Sequence, residues 1–159
     1  MKVIVDTNVA ISANGRDTHA SLQCQLNCIE FLQSLVSFSS KAKTAVDAGG
    51  VILEEYSKYL FHRGAPGVGD QFFKYLHDNM YSGTRVIVGT ITPIDDDNRG
   101  FEELPKNQLD KSDRKFAALA VVTGADIYNA LDTDWQEAKA LFDQTNITIK
   151  QLCPDHCPA

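Results

Sequence analysis

The sequence predicts a parallel α/β sandwich, and three features predict it. Short β-branched runs alternate with segments whose apolar residues recur at helical spacing, the order that crossover helices and parallel strands produce. The opening run Lys2 to Val5 is short and ends at a polar stop, as a buried parallel strand does. Acidic residues then follow apolar strands, where an open parallel sheet gathers its ligands.

Taken in order, Lys2 to Val5 is the first strand, with Asp6 at its carboxyl end, and the polar residues from Asn14 to Ser21 form a loop. Leu22, Leu26, Ile29, Phe31, Leu32, Leu35 and Val36 mark an amphipathic helix. Thr44 to Val46 is a second strand, followed by Asp47 as a turn residue and the pair Gly49-Gly50. From Val51 to Phe61 the residues Val51, Ile52, Tyr56, Tyr59 and Leu60 fit a helix, which puts Glu54 and Glu55 on its first turns, where one of them can face inward. The glycine-rich stretch Gly64 to Gly69 breaks that helix. No Gly-Lys-Ser/Thr follows it, so it is a flexible loop rather than a nucleotide-binding one.

Phe72, Phe73, Tyr75, Leu76 and Met80 support the next helix, and Arg85 to Thr92 a strand. Pro93 to Lys111, with Asp95, Asp96 and Asp97, has the composition of a solvated connector. Ser112 is placed to cap a helix from Asp113 to Thr123 that packs through Phe116, Ala117, Leu119, Ala120 and Val121 and closes at Gly124. Asp113 then sits at a helix N-terminus, where the dipole favours its ionised form. Ile127 to Leu131 is a strand ending at Asp132, Trp135 to Phe142 a helix, and Ile147 to Leu152 the last strand.

A chain of 159 residues with 43% hydrophobic content fills one core, so residues 1–152 are expected to form a single domain and 153–159 a short tail containing cysteine and proline. There is no internal repeat and no low-complexity segment. The N-terminus meets Asp6 after three apolar residues, too early for a signal peptide or a membrane span, and the expected location is cytoplasmic. A net charge of −6 argues against a basic nucleic-acid coat and makes polyanion binding dependent on local cations or on metal. Cys24 and Cys28 repeat the spacing of Cys153 and Cys157, which admits a zinc site in principle. The favoured reading is a pair of small core residues one helical turn apart and a pair in the tail. A disulfide ranks below zinc because of the cytoplasmic assignment.

Asp6, the pair Glu54 and Glu55, Asp113, and Asp132 with Asp134 form acidic islands at strand ends and helix starts. Each alone is explained by helix capping. Capping does not explain acids after the apolar strands at both Val5 and Leu131, whereas a common pocket does. Gathered carboxylates repel one another, which a divalent cation relieves.

Val3-Ile4-Val5-Asp6-Thr7-Asn8, the helix carrying Glu55-Tyr56, the helix start Asp113-Arg114-Lys115-Phe116-Ala117, and Asp132-Thr133-Asp134-Trp135 together resemble the four successive motifs of PIN domains. The resemblance runs from Val3 to about Leu152. It implies a three-layer α/β/α sandwich with a central, mostly parallel sheet and an acidic pocket that binds Mg2+ or Mn2+ and hydrolyses phosphodiester bonds, most often in RNA. Carried over by position, Asp6, Glu55, Asp113 and Asp132 match the core acids and Asp134 a frequent additional one. Thr7, Asn8 and Thr133 match polar positions lining the pocket. Glu55 is preferred to Glu54 because it precedes Tyr56.

Hard cations favour carboxylate oxygens, which fits this ligand set. Lys111, Arg114 and Lys115 flank Asp113 and are candidates for the nucleic-acid backbone, with Arg16, Lys41, Lys43, Arg63 and Lys74 as a diffuse basic track. His19, His62, His77 and His156 have no metal-pair spacing, and Trp135 is read as core. Tyr56 and Tyr59 suit either core or base stacking. The leading expectation is a ribonuclease, with a toxin role opposite an antitoxin protein and homodimerisation as family expectations. The alternatives are a PIN-fold binding module without turnover and a deoxyribonuclease using the same acids.

Overall fold

The computed structural model describes residues 1–61 and 65–157, and of Glu137 only the backbone. His62, Arg63 and the first residue of the glycine-rich break, Gly64, lie outside the described residues, as does Pro158 of the tail. The core of the fold is a five-stranded sheet in the order β3-β2-β1-β4-β5, with every pairing parallel. Its strands are β1 (Lys2–Val5), β2 (Lys43–Asp47), β3 (Val86–Gly89), β4 (Asp126–Asn129) and β5 (Ile149–Gln151). Helices flank it in a three-layer α/β/α arrangement. Val3, Ile4 and Val5 are fully buried, as a strand covered on both faces must be.

The order runs outward from β1 in both directions, so the chain reverses its winding between β1 and β4. Their carboxyl ends therefore splay apart into a crevice. Asp6 leaves β1 there, and the turn after β4 carries Asp132.

The first helix, α1 (Thr7–Asn14), is an addition to the sequence expectation. It shows no apolar period because both its faces are covered and its buried set mixes Thr7 and Ser12 with Val9, Ala10 and Ala13. Asp6 is its N-cap, accepting from the Asn8 N–H, and Gly15 at φ 68° closes it. A second helix, α2 (Leu22–Val36), follows the capping residue Ser21, and α3 (Val51–Ser57) stops a turn short of the expected Phe61. Asp47 at the end of β2 accepts from the N–H groups of Val51 and Ile52 at 3.0 and 2.7 Å, so it anchors the start of α3 rather than only a turn.

The next helix, α4 (Val68–Asn79), begins inside the predicted glycine-rich break. Gly69 is needed there because a Cβ would lie 2.0 Å from the Ala10 carbonyl oxygen, and this close approach seats α4 on α1. Following β3, residues 90–113 are irregular, but they are more than a solvated connector. Phe101, Leu104 and Leu109 are buried in the core. Then come α5 (Arg114–Thr123), closed by Gly124, and two short helices, α6 (Asp134–Glu137) and α7 (Lys139–Thr145), where one was expected.

The cysteine expectation is corrected. Cys24 of α2 and Cys153 of the tail form a disulfide, leaving Cys28 and Cys157 as buried free thiols. The bridge joins positions 129 residues apart, which only the tertiary fold brings together. Among the described residues no helix is long and apolar enough to cross a membrane.

Candidate metal centre

Three carboxylates from three remote segments meet in the crevice. Asp6, Asp113 and Asp132 each offer an oxygen, and these oxygens all lie within 4.8 Å of one another. Asp6 and Asp113 are 4% and 7% exposed, and Asp132 is half-buried. They line a pocket of about 370 Å³ together with Thr7, Asn8, Glu55, Ser112, Phe116, Leu131 and a rim of Ile11, Asp17, Thr18, His19 and Tyr59.

Each acid is aimed by its surroundings. The indole N–H of Trp135, a residue 1% exposed, donates to Asp6 Oδ2 at 2.6 Å, while the Asn8 N–H reaches Oδ1 at 3.2 Å. Trp135 therefore fills the core as expected and also points a ligand. Asp113 occupies the N-cap position of α5 but makes no capping hydrogen bond, so its carboxyl is left to face Asp132. The turn carrying Asp132 is built on Asn129, which is fully buried. The amide of Asn129 donates to Asp132 O and Gln151 Oε1, both at 2.8 Å, and its carbonyl accepts from Asn8 Nδ2 and the Asp132 N–H. Asn8 Oδ1 in turn accepts from the N–H groups of Ala130 and Leu131.

The electrostatics follow from crowding. Burial pushes the Asp6 carboxyl up to about 6 against the bonds from Trp135 and Asn8, and the charges of Asp132 and Glu55 push the same way. Burial raises Asp113 to about 8, with Asp6 and Asp132 adding repulsion. Asp132 is raised too, first by burial, despite the Asp134 N–H that donates to it. A site that holds protons this tightly is short of positive charge.

Glu55 lines the same pocket and Glu54 faces solvent, which settles which of the two points inward. Its carboxylate is not among the three that converge. Burial opposes its ionisation, but Lys58 at 3.0 Å and Lys115 at 3.1 Å outweigh that and hold it below the usual range. Asp134 is exposed and lines a separate cleft with Lys106, Gln108 and Gln144. Thr133 is exposed and lies outside the pocket lining.

The basic residues are largely engaged. Arg114 is buried, with its guanidinium bonded to Asp97 O and to the side chain and carbonyl of Asn107. Lys111 is exposed and 3.7 Å from Asp97. Arg16 pairs with Asp70 and Lys74 with Asp78. Tyr56 is buried with its hydroxyl donating to Val5 O, which leaves Tyr59, 48% exposed, as the aromatic residue on the rim.

Whether these residues fit a cation is tested by Thr7. Thr7 lines the pocket beside the acids, and its hydroxyl is buried with no hydrogen-bond partner among the described residues, an orphan of a kind that costs about 1–3 kcal/mol. Three oxygen anions and an idle hydroxyl are the donor set that a hard divalent cation with its water shell satisfies.

Sequence reasoning missed Asn129, Asp17, Thr18 and Ile11. Asn129 is the one with a legible signal, as an amide at the end of a strand otherwise built to be buried. Compared with family models, curated proteins and solved structures, the chain matches none of them.

Proposed function

We propose that this protein is a divalent-metal-dependent nuclease of the PIN type, hydrolysing phosphodiester bonds in RNA. One observation carries the reading: Asp6, Asp113 and Asp132, from three distant segments, converge in one pocket with the unpartnered hydroxyl of Thr7. The preference for RNA and the assignment of Mg2+ or Mn2+ come from the sequence resemblance and from the hardness of the donors. The same three acids would hold the ion, with Thr7 bonding to its water shell. When bound, such an ion lowers the pKa of a water and neutralises charge on the phosphate and the leaving oxygen.

The rest falls to the chain's own side chains. Trp135 and the Asn8 N–H hold both Asp6 oxygens, so this ligand cannot rotate away. Asn129 fixes the turn that presents Asp132. Glu55, kept ionised by Lys58 and Lys115, stands at the pocket wall as a fixed negative charge beside the three acids. The products would be a 3′ hydroxyl and a 5′ phosphate.

The test incubates the purified chain with labelled single-stranded RNA and DNA in Mg2+, Mn2+ or chelator, beside Asp6→Asn and Asp113→Asn. Cleavage of RNA that needs metal and is lost in both variants is the expected result. Cleavage that persists in chelator or in both variants overturns the proposal, and cleavage of DNA alone replaces the substrate. A binding module without turnover would take up metal and leave both substrates intact.

A further inference from the structure

We infer that the reduced form of this protein holds a soft divalent cation, zinc foremost, between Cys24 and Cys28 of α2 and Cys153 of the tail. One sulfur from each of the three lies within 4.8 Å of the others. Tetrahedral zinc–thiolate bonds of about 2.3 Å put sulfurs roughly 3.8 Å apart, and opening the Cys24–Cys153 bond lets those two sulfurs separate toward that spacing beside Cys28. Cys24 and Cys28 are one helical turn apart and so share a face of α2, and Cys153 opens the tail turn in which the N–H groups of His156 and Cys157 return to its carbonyl. All three are buried, at 2%, 0% and 2% exposure.

The disulfide accounts for two of these sulfurs and leaves the third unexplained. Cys28 is a buried free thiol with no hydrogen bond among the described residues, and burial pushes it up to about 12, so it is inert as a nucleophile. A thiophilic cation uses all three. Its fourth place would fall to water, since the Cys157 thiol is engaged instead by the Asn129 side chain.

The two states interconvert with a balanced step. A dithiol reductant delivers two electrons and two protons to the Cys24–Cys153 bond, which opens to two thiols while the reductant leaves as its own disulfide. Cation binding then releases three protons as three metal–sulfur bonds form. Either linkage ties the tail to α2. This matters at a distance, because the Leu152 N–H and the Gln151 side chain both bond Asn129, which presents Asp132. The tail is thus clamped under oxidising and reducing conditions alike, by different chemistry.

The inference rests on sulfur positions alone and survives failure of the nuclease proposal. Its test titrates the full chain, reduced anaerobically with a phosphine, with Co2+ as the probe. Expected are a thiolate-to-cobalt charge-transfer band with the intensity of one cobalt on three thiolates, its displacement by Zn2+, and the same band in Asp6→Asn. Cys28→Ala should weaken binding by roughly tenfold or more, since losing a ligand costs at least what losing an outer partner does. No charge-transfer band in the reduced chain overturns the inference, as does a band that Cys28→Ala keeps undiminished or Asp6→Asn abolishes. Should Cys28→Ala fail to fold, alkylation of the reduced natural chain decides: Cys24, Cys28 and Cys153 must be protected by Zn2+, and alkylation at an unchanged rate overturns the site.

Discussion

Replacing a ligand of the candidate centre should stabilise the metal-free protein. Asp113 is the cleanest position, because it makes no capping bond and an asparagine there can still donate to Asp132. In the folded chain its carboxyl is raised from 3.8 to about 8. The folded state therefore binds a proton that the unfolded state has lost throughout the window between those values. Stability falls with pH across that window at one proton's worth, about 1.4 kcal/mol per pH unit. Asp113 and Asp132 titrate as a pair, so the slope belongs to the pair, and Asp6 adds in the same direction up to about 6.

Groups held low, such as Asp70 by Arg16 and the Phe61 and Gly67 N–H groups against its burial, run the other way. Their contribution is complete at neutral pH and is lost only as pH falls below the ordinary carboxylate range, outside the window. Between pH 5 and pH 7.5 the advantage of Asp113→Asn over the natural chain should grow by about 3 kcal/mol, or roughly 6–12 °C in melting temperature for a domain of this size. Circular dichroism melts in chelator measure it. Mn2+ at about a hundred times its dissociation constant should then return about 2.7 kcal/mol to the natural chain and leave the variant unmoved. A natural chain whose melting temperature is flat or rises from pH 5 to pH 7.5 in chelator, beside a variant that is never the more stable, would refute the reasoning.

Three further outcomes are expected. Trp135→Phe keeps the ring packed near Phe142 but removes the donor to Asp6, so it should cost about 1.5–3 kcal/mol in urea unfolding at neutral pH and move the acid limb of the cleavage profile to higher pH. An unmoved limb would show that this bond does not tune Asp6. Asn129→Ala strips four hydrogen bonds from a fully buried position and should cost about 3 kcal/mol or more, with Mn2+ affinity by calorimetry falling alongside. Affinity that survives would mean the Asp132 turn holds itself. Cys153→Ser opens a bridge spanning 129 residues, for which chain entropy sets a ceiling of about 5 kcal/mol, and oxidised samples compared by denaturant midpoint should show a loss of about 2–5 kcal/mol.

The alternation of strands and helices was legible because β1 and β2 are buried on both faces and the helices α2 and α4 on one, which leaves the period in the sequence. The short helix α1 was not, since its buried face includes Thr7 and Ser12. Glu55 was separable from Glu54 in principle: burial of Ile52 and Tyr56 fixes the inner face of α3, and residue 55 lies on it. What sequence could not give is where each side chain ends after a turn. Thr133 and Asp134 sit beside Asp132 in the chain, yet the turn into α6 carries them outward. Arg114 beside Asp113 has the look of a phosphate contact but is consumed by the 97–107 loop, whose apolar residues are too sparse to betray that it packs. The disulfide depended on a tail reaching α2, which no local pattern encodes.

The distribution of charge ties metal and substrate together. Among the described residues, the pocket wall carries Asp6, Asp17, Glu55, Asp113 and Asp132 and no lysine or arginine. Lys58 and Lys115 are already opposed by Glu55. A phosphodiester approaching this wall without metal meets like charge, and within about 8–10 Å at ordinary salt that repulsion is not screened away. The proposed divalent ion on the three aspartates would cancel most of their charge at the point where a phosphate would come closest. Ion and polyanion binding are then linked, and linkage is reciprocal: a nucleic acid that binds only beside the ion must tighten the ion by the factor the ion tightens it. The net charge of −6 is thus no argument against the proposed nucleic-acid substrate, because the acids that would repel a phosphate are the ones that would recruit its counter-charge.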